Sequence, residues 1–422
     1  MKILWLCNIE LPIISKVLNK KIDDYAGWLT GFLDGLKAKN NIEITVMYPS
    51  KIVETGRADW ICYKSFINNK NNIEQTKSFF IKFLMANDFD IIHIFGTEFL
   101  HTNLMVEACK SLKIEKKILI NIQGLISIYY KHYFADLPFN ICRQFTFKEL
   151  IKKNNIYNLK KSLELKSKYE VEAIKNILYI SGRTDWDKAC SIQINPNIKY
   201  FKCNEILREN FYNNKWKYDG CQKHSIFVSQ CSYPIKGFHK IIEALPYILL
   251  QYPDLILYTT GKNLFDLKFL DKLKISSYNK YLLKLIKKYK LKNNIVFLGN
   301  LNEEEMCKAY INANVFVSAS SIENSPNSLG EAMLLGMPVI SSDVGGVKNM
   351  LIHNEEGFIY PFNEYYMISY YVCEFFKMKD KASDYGNKAK KHAEITHDKI
   401  ENSQVIYNIY NTITNLNKNQ NG

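Results

Sequence analysis

The chain has no C-x-x-C pair, and its ten cysteines are scattered without a ligand-like cluster. Neither a disulfide framework nor a zinc site is expected, and the thiols read as reduced. No stretch approaches the ~20 uninterrupted apolar residues of a membrane span. The opening MKILWLCNIE carries one lysine and then a short apolar run, which reads as a buried first strand and not as a signal peptide. The loop after it, NIELPIISK, lacks G-x-G-x-x-G, which argues against a dinucleotide oxidoreductase. Acidic residues are in short supply: 42 Asp and Glu stand against 56 Lys and Arg, a net charge of +14. Such an excess suits an anionic substrate, a membrane surface or a nucleic acid. The abundance of Asn, Lys and Ile makes compositional drift an equal reading.

What is present is regular. At 422 residues the chain exceeds one ordinary core, so two domains are expected. Runs rich in Ile, Leu, Val and Phe predict strands at Ile3–Cys7, Ile42–Tyr48, Ile91–Phe95, Ile118–Gln123 and Ile177–Ile180. A second series falls at Ile226–Gln230, Leu255–Thr259, Ile295–Leu298, Val315–Ser318 and Val339–Ser342. The runs show little polar alternation and amphipathic segments separate them, as in α/β folds with parallel sheets covered on both faces. Residues 203–224 are polar, aromatic and without period, and read as a linker. The expected division is a Rossmann-like domain over 1–205, joined by a C-terminal helix near 400–415, and a second over 206–399. Residues after Asn415 read as disordered. In doubly wound folds ligands bind beyond the carboxyl ends of the strands, so the expected site is a cleft between the domains.

One stretch carries chemistry. ASSIENSPNSLGEAMLLG, residues 319–336, sets Glu323 and Glu331 on either side of a turn where a helix begins. The pattern predicts a helix from Ser328 to Leu335, with Gly336 after its end. Ser328 and Glu331 then form S-x-x-E, a capping box. Glu323 precedes the helix and has no such role. A helix N-terminus suits a phosphate, and carboxylates suit sugar hydroxyls. Together they fit a ligand bearing both, such as a nucleotide sugar; a cap plus a solvated loop is the plainer alternative.

ENSPNSLGEAMLLGMPVISSDVGGVKNML resembles the E-x7-E signature of glycosyltransferase family 4, the group 1 glycosyltransferases of GT-B fold. EEGFIYP and PIKGFHKIIEALPYILLQYPDLILYTTG are similar to other segments of that family's second domain. In the first domain YAGWLTGFLDGL, FDIIHIFGTEF and IQGLIS resemble, more loosely, enzymes that build bacterial capsular or exopolysaccharides. The resemblance implies a retaining transfer from a nucleoside diphosphate sugar. It implies that Glu323 meets the transferred sugar, Glu331 the ribose, and Lys236 the diphosphate. Backbone N–H groups around Asn327, Ser328 and Leu329 would face the donor. Gly27 would admit a phosphate, and Gly299 and Asn300 would lie near the base.

Two places depart from the family pattern. Gln230 stands where an arginine is usual, so Arg183 becomes a candidate for the missing cation or for an anionic acceptor. Gln123 stands where a histidine is usual, and His132 is its candidate substitute. Asp185 and Asp187, in TDWD, could hold a metal, but the run also reads as a helix start, and the cap is preferred. No obligate metal or other cofactor and no nucleic-acid partner is expected. Between Arg143 and Lys175 nine cations interleave with Phe145, Phe147, Leu150, Ile151, Ile156, Leu159 and Leu163. That pattern fits an anionic membrane surface presenting a lipid-linked or other glycan acceptor to a cytoplasmic, peripheral enzyme. A nucleotide-sugar epimerase on the same fold and a non-catalytic sugar-nucleotide-binding protein are the rival readings.

Overall fold

A computed structural model of the chain describes residues 1–21, 27–39, 41–68, 72–268 and 273–419. They form two compact units, each with its own parallel sheet and core.

The first unit gathers three separate segments, Met1–Ser127, Glu164–Ile206 and His397–Gly422. Its strands are β1 (Lys2–Leu6), β2 (Glu43–Ser50), β3 (Thr55–Ala58), β4 (Ile61–Ile67), β5 (Ile91–Phe95), β6 (Ile118–Asn121), β7 (Tyr179–Gly182) and β8 (Lys199–Lys202). They lie in the order β3-β4-β2-β1-β5-β6-β7-β8. Every neighbouring pair is parallel except the β3–β4 hairpin. β1 and β5 sit in the middle and are apolar on both faces, because helices cover both sides of a parallel sheet. The last helix, Lys399–Asn419, packs back onto this sheet. Its Tyr410 hydroxyl accepts from Trp5 Nε1 at 3.0 Å and lies 2.6 Å from His93 Nδ1. The helix runs through Asn415 without a break, so the disorder expected there is corrected for residues up to Asn419.

The second unit comprises Ile128–Leu163 and Leu207–Thr396. Its strands are β9 (Ser225–Val228), β10 (Ile256–Thr259), β11 (Ile295–Phe297), β12 (Val315–Ser318), β13 (Val339–Ser342) and β14 (Phe358–Tyr360). All run parallel, in the order β11-β10-β9-β12-β13-β14.

Two expectations about the division differ from this arrangement. Residues 128–163 group with the second unit, not the first. Tyr133, Leu137, Ile141, Cys142 and Ile156 belong to the same core as β9 and the helix Phe238–Leu249. His239 Nε2 lies 2.9 Å from the Ala135 carbonyl, and burial holds this histidine's pKa down to about 3, so it stays neutral there. The stretch 203–224 is no free linker. Trp216 is buried; its backbone N–H donates to Leu335 O at 2.8 Å and its indole N–H to Ala313 O at 2.7 Å.

Candidate functional site

In the second unit the carboxyl ends of β9 and β12 each feed a loop, and the two loops meet. The β9 loop carries Gln230, which is exposed, and Lys236, which ends a short 3-10 turn. The β12 loop carries Glu323, only 7% exposed. Ser321 N–H donates to Ile235 O at 2.8 Å and joins them. Lys236 Nζ then reaches Glu323 Oε1 at 2.5 Å, and Ser320 Oγ donates to the same oxygen at 2.6 Å. The sequence reading gave this lysine and this carboxylate different parts of one donor; the structure brings them together as a pair.

Glycine makes that approach possible at two points. Gly237 has φ +66°, and a Cβ there would stand 1.6 Å from Ala319 O. Gly345 has φ +52°, and a Cβ would stand 1.8 Å from the carbonyl of Glu323 itself. Any other side chain at either place would push the carboxylate's loop away.

The helix beyond Glu323 spans Asn327–Leu335 and ends at Gly336 in the left-handed region, as its sequence predicts. Its start corrects the capping-box reading. Pro326 occupies the N-cap, no side chain caps, and Ser328 instead offers its carbonyl to Tyr310 Oη at 3.1 Å. Leu329 N–H donates to Pro326 O at 3.0 Å, so it does not face a ligand. Asn327 and Ser328 remain partly exposed at the helix mouth.

Glu331 is 4% exposed, and a cation that the sequence reading passed over satisfies it. Arg208 Nε bonds Oε1 at 2.6 Å and Nη2 bonds Oε2 at 2.7 Å, a two-pronged pair. The guanidinium also lies 4.8 Å from the Phe211 ring centroid. Burial raises the Glu331 pKa and the Arg208 charge draws it back down. Nothing in the sequence marks Arg208 except an isolated arginine in an otherwise unpatterned polar stretch. Gly299, at φ +79° with open space where a Cβ would stand, and the exposed Asn300 follow β11 at the sheet edge.

In the first unit the carboxyl ends of β5, β6 and β7 collect a second set. Gln123 Nε2 donates to Asn121 Oδ1 at 2.5 Å and to Glu205 Oε1 at 2.9 Å. Arg183 is corrected as a ligand candidate: its side chain is 4% exposed, and Nη1 sits 2.8 Å from Glu205 Oε1. Nη2 donates to Gln123 O at 3.1 Å, so this arginine ties β6 to β7. Thr184 and Asp187 form a reciprocal capping box at the helix Asp185–Ile194, and Tyr200 Oη donates to Asp187 at 2.6 Å. Glu98, after β5, was not singled out from sequence. Its Oε2 is buried without a hydrogen-bond partner, and burial, aided by the nearby Glu170 charge, raises its pKa to about 8. Gly27 opens the helix Gly27–Lys37; the residues just before it, 22–26, lie outside the described ones. His132 belongs to the second unit, where its carbonyl accepts from Ser321 Oγ at 3.0 Å.

Parts of the chain are similar to known proteins. The family model for glycosyl transferases group 1 matches residues 209–392. An uncharacterized glycosyltransferase of Methanocaldococcus jannaschii is 29% identical over 143 residues, 34% of this chain and 33% of that protein. Alignments with three curated relatives span between 33% and 61% of their lengths. Among solved structures, sucrose-phosphate synthase from Thermosynechococcus elongatus superposes with a TM-score of 0.70 at 13% identity, over 98% of this chain and 99% of that one. HepE of Anabaena, solved in complex with UDP-glucose, gives 0.65 at 16% identity, over 98% and 100%.

Proposed function

We propose, from the match of residues 209–392 to the group 1 glycosyl transferases and from the GT-B fold, that the chain moves a sugar, with retention, from a nucleoside diphosphate sugar to a hydroxyl of a glycan or lipid-linked acceptor. The observation that carries this reading is the Lys236–Glu323 pair, held where the loops after β9 and β12 meet beside the helix Asn327–Leu335. Lys236 and the helix mouth at Asn327 and Ser328 meet the negative charge that grows on the diphosphate as it leaves. Glu323 accepts hydrogen bonds from the transferred sugar, and Glu331, oriented by Arg208, meets the ribose. Gln230, Gly299 and Asn300 complete the donor side. The bond between the anomeric carbon and the diphosphate breaks, a bond to the acceptor oxygen forms, and the acceptor proton passes to a departing phosphate oxygen. No metal is required for these steps. Assembly of bacterial cell-surface polysaccharide at the inner face of the membrane is the setting that fits best. The fold shared with HepE, itself solved with UDP-glucose, supports a nucleotide-sugar donor and makes uridine sugars the first to try.

The test is a panel of labelled donors, with and without acceptor glycans, in the presence and absence of EDTA. Transfer that needs an acceptor and keeps the anomeric configuration by NMR supports the reading. Isomerised donor without an acceptor would make it an epimerase. Donor-induced thermal stabilisation without turnover across the panel would make it a binding protein.

A further inference from the structure

The short helix Phe147–Lys152, sequence FKELIK, is built inside out. Its one buried side chain is a carboxylate, Glu149. Its three apolar side chains face solvent: Phe147 is 62% exposed, Leu150 63% and Ile151 66%. The carboxylate explains how the helix is held. Glu149 Oε2 accepts from Thr146 N at 3.0 Å, closing a capping box. Oε1 accepts from Ser277 N at 2.9 Å and from Ser277 Oγ at 3.0 Å, at the start of the helix Ser277–Lys288. Polar bonds thus fix the helix with its apolar face outward. Phe139 and Phe145, just before it, are also exposed. Clustered exposed apolar side chains of this size mark an interaction surface.

A second observation says what it meets. Between the helix Phe139–Arg143 and the helix Ser277–Lys288 lies a cavity of about 790 Å³, lined by Arg143, Lys280, Lys284 and Lys287 and by no acid. The lysines recur at i, i+4 and i+7, so they share one helix face. Among the described residues none of the three is ion-paired. The segment 139–153 adds Lys148, Lys152 and Lys153, and its only acid is the buried Glu149. The stretch from Arg143 to Lys175 expected from sequence therefore contracts: Ile156 lies in the core and Leu163 packs on it. The surface gains instead a lysine row from a helix more than a hundred residues away.

We propose that this face of the second unit docks on an anionic phospholipid bilayer. Phe147, Leu150 and Ile151 enter the boundary between headgroups and acyl chains, and the lysine-lined cavity takes lipid phosphates. The geometry favours a bilayer over a protein partner, because the apolar groups protrude and the cations line the concavity; a fluid layer accepts such knobs without a matching pocket. The inference rests on the lipid-presented acceptor of the reading above and names the surface that reaches it.

The experiment is sedimentation of the full chain with vesicles of phosphatidylglycerol and phosphatidylcholine, and of phosphatidylcholine alone. Binding is expected to the anionic vesicles only, and to weaken as salt rises. The variant F147S/L150S/I151S should lower the partition coefficient at least about tenfold, and K280Q/K284Q/K287Q roughly a hundredfold. Both should keep the wild-type urea midpoint and sugar transfer to a water-soluble acceptor. Wild-type sedimentation by both folded variants would overturn this surface while leaving lipid presentation intact. A wild-type protein that stays in the supernatant while still transferring sugar to a soluble acceptor would overturn both surface and lipid presentation, but not the donor chemistry. Displacement from vesicles by equimolar glycerol phosphate would identify a site for free phosphate and overturn the bilayer assignment.

Discussion

Arg208→Ala should be among the most damaging single changes in the second unit. Its partner Glu331 is 4% exposed and the arginine side chain only 18%, and both carboxylate oxygens are engaged. Removing the guanidinium leaves a carboxylate in a site too dry to solvate it. Breaking a buried pair from one side costs about 3–5 kcal/mol. The variant has one escape, since Glu331 can take up a proton. Its loss of stability should therefore be smaller at pH 5 than at pH 8, because the freed carboxyl titrates above its ordinary range. Replacing both partners, as in R208M/E331L, should recover most of the loss, because two apolar side chains of similar size need no charge compensation. Urea unfolding of the three variants at the two pH values measures all of this. A loss below about 1 kcal/mol for Arg208→Ala at pH 8 would refute the reasoning, since surface pairs give that much. So would a double variant less stable than the single one.

Three further outcomes follow from other groups. Glu323→Gln should lower turnover on the order of a hundredfold, the scale of one charge-stabilising contact, with little change in urea midpoint; wild-type turnover would sink its role. Lys236→Ala should weaken binding of a nucleoside diphosphate and leave that of the free nucleoside unchanged, as calorimetry can show; equal losses for both ligands would place the lysine elsewhere. Glu98 has a folded pKa near 8, above its unfolded value, so the native state holds the extra proton and stability falls as pH rises from about 5 to 8. Between pH 6.5 and 8 the wild type should lose about 2 kcal/mol more than Glu98→Gln; parallel curves would mean that Glu98 is already ionised.

The sequence was legible in nearly every strand that is apolar on both faces. All ten strands expected from such runs are present, three with the expected ends and the rest with ends shifted by at most two residues. Four were missed: β14, FIY, is buried throughout but only three residues long, and β4, ICYKSFI, mixes buried with exposed positions. β8 reads KYFK, with two exposed ends flanking two half-buried positions at a sheet edge, and β3 reads TGRA. The Glu323 loop and the helix after it were legible because the turn and C-cap chemistry is local. What misled was long-range. Glu331 turned from a cap to a partner because Arg208, 123 positions earlier in sequence, draws its carboxylate away. Residues 128–163 follow β6 in sequence but fill a core built more than sixty residues later, and no local pattern states that choice.

The first unit is stitched from three pieces of chain, and this has a consequence for how the protein is made. Trp5 and His93 meet Tyr410 only after 190 intervening residues of the second unit, 207–396, have been translated. At ribosomal speed that stretch takes roughly 10–40 s. The early strands wait that long with part of one face of their sheet uncovered, while the later unit has nearly all its chain in hand. Synthesis therefore reverses the order of the text: the half that begins last is complete first. The N-terminal half stays open to proteases and chaperones, as limited digestion of arrested nascent chains would reveal, until the final helix, Lys399–Asn419, leaves the exit tunnel.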